Sequence, residues 1–351
     1  EFSEITFGTE QTAMGMIELK QLLFDGTYVV GVQGIKHFLA LADNAQEKTQ
    51  LEIQRIIVDA YLGAIAARAN VMILEDNIST LTKNVEEVSQ LFGSGFEEEE
   101  SVEQLQLTLT SLNNQLDYAK NMAELSHSVV KLLLGISLDS PLELTDELEA
   151  LVLKNLIMEE EDPGYANNID LRIAEKQITT EELFYRLEKA KSLPSLTAFV
   201  NGAYMGNNDS FGFTDKDQKW FGSAAFGVRV KIPIFSSFGR TVSAQKAKIT
   251  LEQAKTAFDE ARSKVYYEYE QAKNNYRLAI KKHFNTKDQL DLAERIEQKN
   301  KTKFFEGLAS SFELRQAQIQ LYTIQQSYIQ SMQAVVSQKT ALDIIINNNP
   351  Q

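Results

Sequence analysis

Read for its spacing of apolar and polar positions, the chain falls into two kinds of segment. Long stretches repeat apolar residues with helical period, and a few short ones alternate with a period of two. From about Tyr28 to Gln90, and again from about Thr241 to Phe305, there is no proline and scarcely a glycine beyond Gly31, Gly34 and Gly63. At 1.5 Å per residue each stretch would span roughly 90–100 Å as one helix, several times the usual length in globular proteins. The pattern therefore predicts coiled-coil-like rods rather than packed core helices. Small residues recur along their seams, Ala60, Ala64 and Ala67 in one and Ala244, Ala247, Ala254, Ala257 and Ala261 in the other, so backbones can approach closely. Tyr266, Tyr269 and Tyr276 read as packing residues of the second rod.

Rod and strand come in the same order twice, with a period of roughly 210 residues. A short run ending in Leu22-Leu23-Phe24-Asp25-Gly26 precedes the first rod, and Ile232-Pro233-Ile234-Phe235 followed by Gly239 precedes the second. Each rod ends at a glycine-containing break, Phe92-Gly93-Ser94-Gly95 or Phe305-Glu306-Gly307. Each break leads to Ser, an apolar residue and Glu at the start of a second helix, Ser101-Val102-Glu103 or Ser311-Phe312-Glu313. Residues 1–140 are thus expected to form one structural repeat and 193–351 another, with 141–192 between them. In that middle part Pro141 closes the first hairpin, and Glu159-Glu160-Glu161-Asp162-Pro163-Gly164 reads as a loop. Asn168-Ile169-Asp170 then caps a helix ending near Lys191.

Residues 196–240 are the most strand-like. Trp220, Gly222, Ala224, Phe226, Val228, Val230, Ile232 and Ile234 fall on one face, and Phe221, Ser223, Ala225, Gly227, Arg229 and Lys231 on the other. One face is apolar and the other turns cationic, as a strand between lipid and an aqueous lumen requires, although a soluble sandwich strand would alternate similarly. A partner run, Leu196–Met205, is joined to it by a polar loop carrying Gly206-Asn207-Asn208-Asp209-Ser210 and Asp215-Lys216-Asp217. Trp220 and Phe221 at the loop's end suit an interfacial position. In the first half only Ala13–Phe24 is comparable, with Leu23, Leu19 and Ile17 expected toward lipid and Glu18 and Lys20 toward the lumen. Three strands cannot close a barrel, and open edges in lipid cost several kcal/mol per unpaired group. The strands therefore predict an oligomer, a longer parent chain, or both.

Composition narrows the function classes. A net charge of -14 argues against nucleic-acid binding, which needs a basic face. With no cysteine, neither a disulfide framework nor a Cys-rich metal site is possible. No run of about 18 apolar residues is evident, so no transmembrane helix is expected. His37, His127 and His283 are isolated and read as surface or seam residues, and Glu97-Glu98-Glu99-Glu100 reads as a solvated acidic turn. No phosphate loop or nucleophile constellation is present, so an enzyme, a cofactor and a catalytic metal are not expected. Glu1-Phe2-Ser3-Glu4 is not a signal peptide.

In organisation and in several short motifs the chain resembles the TolC-like outer membrane efflux protein family. The two strand tails, Leu22-Leu23-Phe24-Asp25-Gly26 and Ile232-Pro233-Ile234-Phe235, look like the family's lead into its first long helix. Leu193-Pro194-Ser195-Leu196 is similar to its opening of a barrel strand, and Gly307-Leu308-Ala309-Ser310-Ser311-Phe312-Glu313 to its turn at the periplasmic tip. The resemblance implies a mainly α fold with a small β part. Long helical hairpins would form a periplasmic α-barrel, and each protomer of a trimer would give four strands to a shared transmembrane β-barrel. It implies a channel in the outer membrane of a Gram-negative cell, with a periplasmic extension, working with a periplasmic adaptor and an inner-membrane pump.

The expected tip and gate residues are then Gly93, Gly95, Ser101, Glu103, Gly307, Ser311, Glu313, Arg315 and Gln316. The lumen residues are Glu18, Lys20, Arg229 and Lys231, and the lipid-facing or interfacial ones Trp220, Phe226, Val228, Val230 and Ile232. The family often has two acidic residues three positions apart at the tip; here Glu313 matches the first and Gln316 stands at the second, which weakens a cation-binding gate. The family's helix and first strand ahead of residue 1 have no counterpart, so an N-terminally incomplete chain is expected. The alternatives are a soluble coiled-coil scaffold, which leaves the duplicated strand unexplained, and a periplasmic adaptor, which requires flanking β-domains not evident in the sequence.

Overall fold

A computed structural model of the protein describes residues 8–156 and 164–347. Glu1-Phe2-Ser3-Glu4 and the acidic run from Glu159 to Pro163 lie outside them. The chain divides into two compact units, Glu1–Asp43 with Ile173–Asp259, and Asn44–Arg172 with Glu260–Gln351.

The first unit holds the sheet. Strands β1 (Gln11–Asp25), β2 (Ser195–Asn208) and β3 (Trp220–Lys231) pair antiparallel in that order. β1 leads directly into α1 (Gly26–Gly93), because Asp25 serves as the helix cap. Its Oδ1 accepts from the backbone of Thr27 at 2.8 Å and of Tyr28 at 3.2 Å. Gly26 is required at this junction, since a Cβ there would lie 2.7 Å from Leu193 Cδ1 and 3.1 Å from the Ala190 carbonyl oxygen. The beginning of α1 packs on α4 (Ile169–Ala190), with Gly34 against Leu183 and Phe38 edge-on to Phe184 at 5.9 Å.

Strand β3 stops at Lys231, so Ile232 and Ile234 do not extend its apolar face as the alternation predicted. Pro233 has no N–H to give to a ladder. The chain then turns through Ser237 and Phe238, both at positive φ, into α5 (Gly239–Phe305). Arg240 steadies the turn by donating to the Pro233 carbonyl at 3.1 Å.

The second unit is helical. It holds α1 from Asn44, α2 (Glu99–Leu133), α3 (Leu148–Asn155), the start of α4, α5 from Glu260, and α6 (Ser311–Ile346). The two rods are 68 and 67 residues long, and their return helices 35 and 36. Short helix α3 was not anticipated; Leu148 and Val152, one turn apart, bury it against the core. Asn168 caps α4 as expected, accepting from Asp170 N at 2.9 Å.

Two apolar clusters hold this unit together. One joins Leu62 and Ile65 of α1 to Val130, Leu144, Leu148, Tyr276, Met332 and Val335. The other lies toward the turns, where Leu74, Leu81 and Val88 of α1 meet Leu105, Leu112 and Ala119 of α2 at heptad spacing, with Phe304 and Leu314. The α5 seam differs from the sequence reading. Val265, Tyr269, Ala272, Tyr276 and Ala279 are buried, whereas Ala257 is exposed and Ala244, Ala247, Ala254 and Ala261 are half-buried. Tyr266 is exposed and leans on Tyr165 at 5.6 Å.

Helix α1 also departs from expectation in hydropathy. It contains an 18-residue window of mean hydropathy 1.5, apolar enough by composition to cross a membrane, of which 22 % is buried in this chain.

Candidate functional site

Because paired residues in a sheet share a face, the register sorts the three strands without ambiguity. Ile17, Leu19 and Phe24 of β1, Leu196, Val200 and Tyr204 of β2, and Trp220, Phe226, Val228 and Val230 of β3 share one face, interrupted by Gln21. It is uncovered in the chain, with Phe226 86 % and Ile17 83 % exposed. Glu18, Lys20, Asn201, Thr197, Arg229 and Lys231 lie on the opposite face, toward the helix end of the strands. All four residues expected to line a lumen are therefore brought to one surface. Lys20 Nζ meets Glu18 Oε2 at 2.6 Å, and Arg229 stacks over the Phe199 ring at 5.3 Å. At the loop end this face is apolar, with Met14, Met16, Met205 and Phe221.

The register shifts between Leu22 and Phe24, leaving Leu23 as the extra residue. The bulge takes Leu23, which was expected toward lipid, out of the ladder and sets Phe24 on the apolar face beside Leu196 and Val230. Further along, three aromatic rings lie across glycines of the neighbouring strand. A Cβ would come 2.9 Å from the Tyr204 ring at Gly222, 3.2 Å from Trp220 at Gly206 and 3.3 Å from Phe199 at Gly227. Each ring covers backbone that the glycine leaves bare. The loop between β2 and β3, expected to be polar, contributes Phe213, which approaches Trp220 at 6.3 Å while Trp220 stacks on Tyr204 at 6.4 Å.

In the helical unit the two turns share one backbone design. Gly95 (φ 78°) and Gly307 (φ 71°) occupy the left-handed position. Phe96 N donates back to Leu91 O at 2.9 Å, and Leu308 N to Lys303 O at 2.7 Å. The helices restart at Glu99 and Ser311. This equivalence corrects the pairing read from the sequence by two residues: Ser101, not Glu103, corresponds to Glu313. Gly93 is the last residue of α1 rather than the turn glycine.

Glu313 is engaged in a capping box. Glu313 N donates to Ser310 Oγ at 3.3 Å; in return Ser310 N at 2.8 Å and Ser310 Oγ at 3.2 Å donate to Glu313 Oε2, which holds the carboxyl below the usual carboxylate range. On α2, Glu98 caps nothing and Ser101 Oγ donates to Glu97 Oε1 at 2.5 Å. Glu103 and Gln316 are exposed, Ser311 is half-buried, and Arg315 lies over Phe312 at 5.4 Å. Arg315 also lines a groove of about 780 Å³ with Asn77, Tyr118, Tyr322 and other residues of α1, α2 and α6. Among the described residues no group of His, Asp or Glu is placed to hold a metal ion.

Sequence reasoning passed over the buried amides of this unit. Asn77 donates to Gln325 at 2.8 Å, whereas Asn84 and Gln318 are buried with every amide atom unpartnered. An unmade buried hydrogen bond costs about 1–3 kcal/mol. Asn77 and Asn84 stand seven apart inside the Leu74–Leu81–Val88 heptads, a break in the apolar pattern that the sequence does display.

The fold is similar to that of several outer membrane proteins. VceC from Vibrio cholerae aligns at 16 % identity over 96 % of this chain and 87 % of its own, with a TM-score of 0.74. CusC aligns at 13 % over 96 % and 83 %, with a TM-score of 0.78. The MtrE outer membrane channel of Neisseria gonorrhoeae, in its open state, aligns at 14 % over 96 % and 80 %, with a TM-score of 0.69. No curated protein matches the chain in sequence. Residues 165–348, more than half the chain and including both β2–β3 and the α5–α6 hairpin, match the outer membrane efflux protein family, and the chain belongs to that family.

Proposed function

We propose that the chain is one protomer of a homotrimeric channel-tunnel in the outer membrane of a Gram-negative cell. It would carry exported molecules outward from an inner-membrane pump and its periplasmic adaptor. The observation that carries this reading is the uncovered apolar face of the sheet, backed by a face bearing Glu18, Lys20, Arg229 and Lys231. In water an apolar sheet face with open edges invites aggregation. Against lipid it is in a matching solvent, provided that strands from other chains close the edges. Trp220, Phe226, Val228 and Val230 then face lipid, and the opposite face the lumen.

The apolar and mostly unburied window of α1 supports the oligomer. Lys36, Asp43, Arg55, Asp59 and Arg68 punctuate this helix, so a seam shared with neighbouring copies suits it better than a lipid span. The matched helix lengths and matched turns support 1–140 and 193–351 as two repeats flanking 141–192. The turns would form the periplasmic end, where the adaptor shifts the balance toward an open state by binding it more tightly.

Fractionation of cells expressing the protein, followed by crosslinking and heat-modifiability in detergent, tests this. A detergent-requiring, outer-membrane trimer is the expected result. A species soluble without detergent would discard the barrel and leave a helical scaffold as the better reading.

A further inference from the structure

Near the turns α1, α2, α5 and α6 pack in layers that are apolar almost throughout, and the main exceptions fall on the seam between α1 and α6. These helices run antiparallel: Asp59 accepts from Ser337 at 2.7 Å, and Gln325 from Asn77 at 2.8 Å. The register of the Asn77–Gln325 pair, carried one heptad toward the turns, sets Asn84 opposite Gln318. Leu81, Val88 and Leu314 around them are fully buried, as are the two amides, at 0 % and 1 % exposure. Neither Asn84 Oδ1 and Nδ2 nor Gln318 Oε1 and Nε2 has a hydrogen-bond partner, and Gln104 Oε1 of α2 is in the same condition.

We propose that the seam between α1 and α6 at Asn84 and Gln318 is the one that yields when the tip opens. The proposal rests on the channel reading above and adds which helices part and why. In the packing described two amides are desolvated and unsatisfied, and parting α1 from α6 at this level hydrates them. The Asn77–Gln325 pair one heptad away is satisfied, so it holds the seam beneath and limits how far the parting runs. A polar layer in a helical seam can instead serve only to fix register. The two roles differ in consequence, because a register device leaves conduction unchanged when the seam is made apolar.

The test uses the full-length trimer in planar bilayers, with thermal unfolding measured alongside. Asn84→Leu/Gln318→Leu is expected to raise the unfolding temperature and lower the open probability at least about tenfold. Asn77→Leu, which strands Gln325, is expected to act in the opposite direction on both. A double variant that is more stable but conducts like the wild type overturns the proposal and leaves register as the role of the layer. A double variant that is less stable than the wild type overturns it as well, because the amides would then not be strained. A wild-type protein that forms no channel removes the underlying reading and the proposal together, an outcome distinct from a conducting wild type with an unaltered variant.

Discussion

Ser310 and Glu313 exchange hydrogen bonds at the start of α6, and the side chain of Glu98, in the same place on α2, makes no cap bond. That asymmetry locates local stability in one turn. Ser310→Ala is expected to destabilise the α6 start by about 0.5–2 kcal/mol, read as faster amide exchange at residues 310–314. The Glu313 carboxyl, held low chiefly by the Ser310 N–H, contributes stability above its unfolded pKa and loses it as pH falls through the folded one. His283 works in the same sense through a different cause. It is 4 % exposed, stacked on Tyr328 at 5.4 Å, with Nδ1 3.4 Å from Ser331 Oγ. Burial pushes its pKa below 6.5, Lys287 adds to this, and Glu149 opposes both. The unfolded chain therefore takes up a proton that the fold resists, and stability present above pH 6.5 is lost below it. Melting curves from about pH 7.5 to about pH 5.5 should show this acid-side loss in the wild type and less of it in His283→Gln. The isolation of His283 from other histidines is visible in the sequence, but its depth is not, since that depends on α5 meeting α6.

At the scale of elements, the sequence pattern was most informative where period and burial agree. The two-residue alternation of β3 placed Phe226, Val228 and Val230 opposite Arg229 and Lys231, and the register of the sheet bears this out. It ran too far at Ile232, because alternation persists beyond the last ladder bond whereas pairing does not. It also missed the bulge at Leu23, since an extra residue is a property of the pair of strands rather than of either one. The glycines were legible as residues and illegible in role: Gly222, Gly206 and Gly227 matter through the rings that cross them. Gly222→Val should push Tyr204 off its stack with Trp220, the single tryptophan, and shift the emission of folded protein. In the helices the heptads are the more robust signal. Leu81→Ala, in the fully buried layer beside Asn84, should cost about 2–5 kcal/mol in thermal unfolding.

For the molecule as a whole, the two faces of the sheet ought to fail in different ways when altered. Lys20 is paired with Glu18 at 2.6 Å, so the free positive charge of the proposed lumen face comes from Arg229 and Lys231, with Asp25 on the same face held in the α1 cap. A lumen charge sets the local field and hence the sign of ion preference, and leaves lipid contacts untouched. Arg229→Glu/Lys231→Glu should therefore still give outer-membrane trimers, with the reversal potential in a salt gradient moved toward cation preference. Phe226→Arg, on the apolar face, puts a charge against hydrocarbon at a cost of about 2–4 kcal/mol per copy near the bilayer midplane. Repeated in every protomer of a trimer, that penalty should deplete assembled protein from the membrane without altering the selectivity of the channels that do form. The two outcomes together assign the faces. If the charge reversal instead blocks assembly while Phe226→Arg changes selectivity, the sheet is turned the other way round. Arg229 and Lys231 would then have to face lipid or a neighbouring chain.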